Sequence, residues 1–309
     1  SHSNWITNVM AGVGEALNQF FQNKREQMRL ISPYSLKLLD AIEELTHRKG
    51  KRLRPIILYA GAQAVCAHPN ELSLWQGGAA LELLQTYLLI HDDWMDQDNE
   101  RRGGKSVHVQ FAETTQNHHL GASLAVLAGD LASAYAWELT SKALAAHSKQ
   151  SEGLKLFARM HQEVVMGQYQ DMMQEGDIHS MYDLKTGSYS VRGPLLLGGI
   201  LGEANPQQLQ ELEAFAYPLG IAFQLRDDLL GTFGDAEAIG KPVGNDLRRG
   251  KFTALITEAH ALLSQEERVA LDAIMNNPSS PDTAIIDMVH VLKTRGIRDR
   301  IEKKIQTLT

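Results

Sequence analysis

Apolar residues recur at three- and four-residue spacing along almost the whole chain, and strict alternation is scarce. The pattern predicts helices over residues 4–22, 33–48, 52–66, 71–96, 105–117, 119–147, 151–175, 180–201, 206–231, 252–262, 265–276 and 281–308. Two starts carry plausible caps, Ser32-Pro33 and Asn205-Pro206. No Pro/Ser/Gly-rich linker separates the helices. The expectation is therefore an all-α fold: one domain over residues 1–309, a helical bundle with central helices buried on most sides. No short fixed-period repeat is present.

One stretch departs from the helical pattern. Residues 231–250, GTFGDAEAIGKPVGNDLRRG, are too rich in glycine for a helix and too long for a simple connector. A loop of that length inside a compact fold is commonly a lid or a binding loop.

Composition narrows the picture. The chain has 309 residues, of which 43% are hydrophobic and only 6% aromatic, which suits a large helical core. Its formal net charge of −7 argues against general nucleic-acid binding. Cys66 is the only cysteine, so neither an intrachain disulfide nor a cysteine zinc site can form; a reducing, cytoplasmic setting is expected. The best membrane candidate, residues 79–90, is short and contains Glu82 and Gln85, so stable membrane insertion is not expected.

The charge is concentrated in two places. Residues 88–104, LLIHDDWMDQDNERRGG, set Asp92, Asp93, Asp96 and Asp98 directly after an apolar run. Asp92 and Asp96 are four apart, so a helix puts both carboxylates on one face. Residues 223–235, FQLRDDLLGTFGD, again end an apolar helix with paired acids, Asp227 and Asp228. Basic residues follow both: Arg101, Arg102 and Lys105 after the first, Lys241, Arg248, Arg249 and Lys251 after the second. Each cluster alone also fits a solvated helix end. Two acidic helix ends meeting in a bundle core would need cations between them. Hard oxygen donors without His or Cys suit magnesium together with phosphate.

The ordered set GKRLRP (50–55), ELLQTYLLIHDDWMDQDNERRG (82–103), GD (129–130), GQYQD (167–171), KTG (185–187) and FQLRDDLLGTFGDAEAIGKPVGNDLRRGK (223–251) resembles the trans-isoprenyl diphosphate synthases. These head-to-tail prenyltransferases include farnesyl and geranylgeranyl diphosphate synthases. The resemblance implies an isoprenoid synthase-like bundle around a deep active-site cavity, ionisation of an allylic diphosphate, and attack by isopentenyl diphosphate, with Mg2+ as Lewis acid and template. It also implies a homodimer.

Residue by residue, the resemblance makes Asp92, Asp96 and Asp227 the metal ligands, with Asp93 and Asp228 orienting waters or ligands. Arg101, Lys185 and Lys241 match contacts to the allylic diphosphate, with Thr186 and Gln224 as polar partners. Lys51, Arg54, Gln85 and Arg102 match the isopentenyl diphosphate site. Gln168 and Asp171 match a motif near the allylic site. Gly231 stands where the family often has a third aspartate; Asp235 could replace that acid only if the helix ran on past two glycines. His91 reads as a packed or supporting histidine, and His118 and His119 as surface residues.

Tyr87, five residues before Asp92, stands where the family often closes the floor of the product tunnel. With no insertion in DDWMD, this looks like a synthase that stops at geranylgeranyl diphosphate. Helix geometry places Leu88 nearer the face of Asp92 and Tyr87 about 140° around. The alternatives are a farnesyl diphosphate synthase, a terpene cyclase, or a non-catalytic partner subunit. A cyclase needs no second diphosphate pocket, which Lys51, Arg54 and Arg102 would supply.

Overall fold

The structure, a computed structural model, describes residues 2–48, 50–234 and 243–309. In chain order the elements are α1 (His2–Ile31), a 3-10 turn (Pro33–Ser35), α2 (Leu36–His47), α3 (Leu53–Val65), α4 (Glu71–Met95), strands β1 (Glu100–Arg101) and β2 (Gly104–Lys105), α5 (Val107–Thr115) and α6 (His118–Leu144). They continue with α7 (Gln150–Met173), α8 (Ile178–Tyr182), a π-helix (Asp183–Arg192), α9 (Gly193–Leu201), α10 (Pro206–Phe233), α11 (Asn245–Arg248), α12 (Ala254–Leu262), α13 (Gln265–Met275), α14 (Asp282–Thr294) and α15 (Ile297–Leu308). The all-α expectation is met, apart from one two-stranded hairpin.

The chain divides into two compact units, Ser1–Arg159 with Gly193–Glu213, and Met160–Arg192 with Ala214–Thr309. Helices α7 and α10 each begin in the first unit and end in the second.

In the first unit α4 is the central element. Leu81, Leu83, Leu84 and Ile90 are fully buried on successive faces, as expected of a helix enclosed on most sides. It packs along α6, whose facing residues Ala125, Ala128, Gly129, Ala132 and Ala136 are small and buried. Small side chains let the two helices approach closely, and burial of α1, α2 and α3 residues such as Leu17, Phe21, Leu39, Ile42 and Leu58 completes the core. Contrary to the sequence reading, α6 is long and apolar enough by length and composition to cross a membrane. Its alanines Ala125, Ala128, Ala132 and Ala136 are buried in protein.

The second unit packs the latter part of α10 and α11–α15 around Ile221, Leu225, Leu229, Leu247, Leu255, Leu271, Ile285, Leu292, Ile297 and Ile301. Ser264 and Glu267 form a reciprocal capping box at the start of α13.

Three predicted boundaries move. Helix α1 runs to Ile31 rather than stopping near 22, because Lys24 bonds Glu138 at 2.6 Å and Arg25 bonds Asp40 and Glu43 at 2.7 Å. These ion pairs occupy a polar stretch that hydrophobic periodicity does not register. The predicted 180–201 helix is two α-helices with a π-helix between them. The predicted 281–308 helix breaks at Gly296, whose φ of +79° a right-handed helix does not accept.

Candidate active site

The apolar surface of α4 carries the chain to a C-terminal end tipped with acid. Asp92 is partly exposed, Asp93 is 1% exposed, and Asp96 is exposed as the C-cap, its N–H bonding the Asp92 carbonyl at 2.7 Å. The carbonyl end of a helix is already negative, so acids there are unfavourable without a cation. Arg101 answers the buried one: its Nε lies 3.1 and 3.2 Å from the two Asp93 oxygens and its Nη2 2.6 Å from Oδ1. Burial raises the Asp93 carboxyl, and Arg101 pulls it back toward ionisation.

The β1–β2 hairpin positions that arginine. Glu100 pairs with Lys105 and Arg101 with Gly104. The two linking residues, Arg102 and Gly103, have φ of 51° and 79°, the positive values that a tight two-residue hairpin turn demands. Arg48 clamps both strands, donating to the carbonyls of Arg101 at 2.8 Å and Lys105 at 2.9 Å.

A cationic cluster lies in the same unit. Arg52, at the N-cap of α3, adopts a left-handed φ of 44°. Arg54 in the first turn is 8% exposed, and Lys51 before it is exposed. The Arg102 guanidinium lies against Gly50, where a Cβ would stand 3.3 Å from its Cζ. Glu82 of α4, 3% exposed, is 3.5 Å from Arg52 Nη1. Burial pushes the Glu82 carboxyl up, while Arg52, Arg54 and Arg102 draw it down. Burial also lowers Arg102, against the pull of Glu82. Gln85 follows Glu82 by one turn and is partly exposed. The structure thus brings Arg54 and Arg102 into one electrostatic neighbourhood with Arg52 and Glu82, which the sequence reading did not assign.

Tyr87 is partly buried and meets His91 edge-to-face at 5.0 Å. The His91 Nε2 is 3.0 Å from the Val126 carbonyl, and its ring fills the space that a Cβ on Gly129 would need. His91 is therefore a packed residue, as its place in the sequence suggests, and it steadies Tyr87.

In the second unit α10 ends with the same polarity. Asp227 is exposed and Asp228 is 0% exposed. Tyr182 donates its hydroxyl to Asp228 Oδ2 and accepts the Ala254 N–H at 2.8 Å. Gln224 donates to Asp228 Oδ1 at 3.1 Å and accepts the Thr186 hydroxyl at 2.7 Å. Burial pushes the Asp228 carboxyl up to about 7, opposed by these hydrogen bonds and by Lys251. Thr186 and Lys185 ride on the π-helix, and Lys185 bonds Asp171 of α7. Close approach makes this possible: a Cβ on Gly167 would stand 2.4 Å from the Lys185 nitrogen. Gln168 is 6% exposed.

At Gly231 a side chain would have to displace Asp246. A Cβ there would lie 2.1 Å from the Asp246 Oδ2, so α11 delivers a carboxylate to the side of α10 from elsewhere in sequence. Helix α10 runs past Gly231 but ends at Phe233, before Gly234, whose φ is +72°. Lys241 and Asp235 lie outside the described residues. Tyr182, Asp246, Arg48, Arg52 and Glu82 are the participants that sequence reasoning missed. The signals available were the polar Glu82 within an apolar helix and the acid within GNDLRRG.

The donor sets at both helix ends are all oxygen and suit a hard divalent ion. Among the described residues, no three His, Cys, Asp or Glu side chains gather closely enough to hold a metal by themselves.

An all-α fold with two aspartate-tipped helices and arginine-rich neighbours defines a class of diphosphate-handling helical enzymes. The chain matches the polyprenyl synthetase family over residues 36–291 and belongs to it. It is 33% identical over 263 residues to the short chain isoprenyl diphosphate synthase of Methanocaldococcus jannaschii, covering 83% of this chain and 76% of that one. It is 37% identical over 251 residues to the farnesyl diphosphate synthase of Geobacillus stearothermophilus, covering 75% and 79%. The crystal structure of geranylgeranyl pyrophosphate synthase from Corynebacterium glutamicum, complexed with isoprenyl diphosphate and magnesium, superposes with a TM-score of 0.87 at 29% identity over 96% of this chain and 88% of that one. The fold is the isoprenoid synthase helical fold, and the protein is a short-chain trans-prenyltransferase.

Proposed function

We propose that the protein condenses isopentenyl diphosphate with allylic diphosphates, in the presence of Mg2+, to give geranylgeranyl diphosphate, acting as a cytoplasmic homodimer without stable membrane insertion. One observation carries the assignment of roles: in both aspartate pairs the second acid is buried and held by its own partners, while the first is the more exposed of the two. Asp92, Asp96 and Asp227 would hold the metal, and Asp93 and Asp228 would orient it and its waters. Bound there, Mg2+ would supply neutralising charge to the departing diphosphate.

In this reading the allylic C–O bond breaks and the diphosphate leaves with the electron pair. The isopentenyl double bond then attacks the allylic carbon, and the proton lost afterwards goes to the released diphosphate. Lys185, Arg101 and Lys241 receive the allylic diphosphate, with Thr186 and Gln224 beside them. Lys51, Arg54, Arg102 and Gln85 receive isopentenyl diphosphate. Tyr87, braced by His91, closes the product tunnel.

The test is an assay of purified protein with isopentenyl diphosphate, an allylic primer and magnesium, read by product chromatography. A twenty-carbon diphosphate is expected, with activity lost on chelation. Absence of condensation would overturn the reading. A fifteen-carbon product would replace geranylgeranyl with farnesyl diphosphate, the second reading that the Geobacillus relative favours. Tyr87→Ala should lengthen the product.

A further inference from the structure

We propose that Glu82 is the positioning residue of the isopentenyl diphosphate pocket: a buried counter-ion that pairs with Arg52 and holds Arg54 and Arg102 converged for a diphosphate. The inference rests on the reading above that this cluster receives the second diphosphate.

Glu82 sits on a fully packed stretch of α4, flanked by buried Leu81 and Leu83, and is itself 3% exposed. An isolated buried carboxylate there would be strongly disfavoured. Three guanidinium groups act on it, those of Arg52, Arg54 and Arg102. Among the described residues, the ion pair it forms is with Arg52, at a loose 3.5 Å. Among the described residues, Glu82 Oε1 and Arg52 Nη1 are buried without hydrogen-bond partners. Buried polar atoms in such a state call for an explanation, and a role in receiving a polar ligand is one.

The charge arithmetic points the same way. One carboxylate among three guanidiniums leaves an excess of two positive charges in a partly desolvated cluster. Without Glu82 the three arginines repel one another and each gains by turning out to water. With it they stay together while keeping the excess that a diphosphate requires. Arg52 stands in a left-handed backbone conformation that a non-glycine residue adopts at a cost, a kind of strain that gathers at ligand sites. Arg102 is held in the same way, at φ 51°, in the hairpin turn. Both side chains are thus aimed by their backbones, and the Glu82 carboxylate, paired with one and attracting the other, fixes where the guanidiniums stop.

Glu82→Gln keeps the shape and removes the charge. Its KM for isopentenyl diphosphate should rise about tenfold or more, the scale seen when a residue orienting ligand-binding groups is lost. The KM for the allylic diphosphate and kcat should stay within about twofold. Adding Arg52→Gln to that variant returns the cluster to its original excess of two positive charges and should recover most of the lost affinity, because the stranded charge is gone. A plain packing role predicts neither the selectivity nor the rescue. An unchanged or lower KM for isopentenyl diphosphate would overturn the inference. So would equal deterioration of both KM values and kcat together with a lower Tm. Should Glu82→Gln fail to fold, Arg52→Gln alone tests the other end of the pair. Glu82 is then free to draw Arg54 and Arg102 away from the substrate, and a selective rise in the same KM is expected; no rise would overturn the inference. Wild-type protein that does not condense the two substrates would instead remove the reading on which this inference stands.

Discussion

The ends of α4 and α10 carry the same pair of letters and solve the same problem with different chemistry. At each, a buried aspartate follows a more exposed one. Asp93 is met by a charged partner, the Arg101 guanidinium, delivered by a hairpin. Asp228 is met by neutral partners, the Tyr182 hydroxyl and the Gln224 amide, delivered by α8 and by its own helix. Burial raises both carboxyls, and Asp228, with no guanidinium bonded to it in the described structure, is pushed up to about 7. The paired acids fix which carboxylate looks outward; they do not fix what steadies the one behind it.

The largest expected effects test the shared half of the comparison. Asp92→Asn and Asp227→Asn should each lower kcat by about a hundred- to a thousandfold, the loss typical of a group acting on transition-state charge. Asp93→Asn and Asp228→Asn should cost less, about ten- to a hundredfold. A buried-acid variant that loses more kcat than its outward neighbour would break the division of roles.

The next effects separate the two ends. Asp93→Asn replaces a charged pair and strands Arg101, whose side chain is 29% exposed and can partly rehydrate. A loss of about 2–3 kcal/mol is expected, below the full value for breaking a buried pair. Asp228→Asn retains an oxygen for one neutral donor and should cost about 1 kcal/mol or less. Tyr182→Phe removes a hydroxyl that serves both Asp228 and the Ala254 N–H, and should cost about 2 kcal/mol. Denaturant midpoints for the three variants check the ranking. If Asp228→Asn proved the costlier of the two substitutions, the contrast between ionic and neutral support would fall.

Much of this was readable beforehand, for identifiable reasons. The helices of both units follow from apolar spacing, and the acid tips from Asp92, Asp96 and Asp227 standing just beyond an apolar run. What supports the acids was not readable, because it depends on contacts between residues remote in sequence. Tyr182 lies far along the chain from Asp228, and nothing around it announces a partner. The π-helix bearing Lys185 and Thr186 exists where Gly167 lets another backbone come close, and where a Cβ on Gly220 would stand 2.8 Å from the Gly187 Cα. The hairpin was missed because Arg102, a non-glycine residue, takes the left-handed position in its turn. Asp246 beside Gly231 was missed for the same reason as Tyr182. An acid absent from a motif can be supplied to its neighbourhood by a helix elsewhere in the fold.

The smallest effect concerns the outer link at the α10 end. Thr186 donates to Gln224 at 2.7 Å, and Gln224 in turn donates to Asp228 at 3.1 Å. Thr186→Val keeps the shape and deletes the donor. Gln224 then loses the contact that fixes which end of its amide faces Asp228, but Tyr182 still holds the carboxylate. A cost of about 1 kcal/mol or less is expected, with a modest rise in the KM for the allylic diphosphate and recovery in Thr186→Ser. A neutral chain of hydrogen bonds can also act as a unit, each bond polarising the next. In that case Thr186→Val would cost as much as Tyr182→Phe, and the double variant would cost little more than either. Additive effects would instead make the outer link a local alignment device. Either result sharpens the contrast with Asp93, where one guanidinium performs alone what Tyr182, Gln224 and Thr186 share.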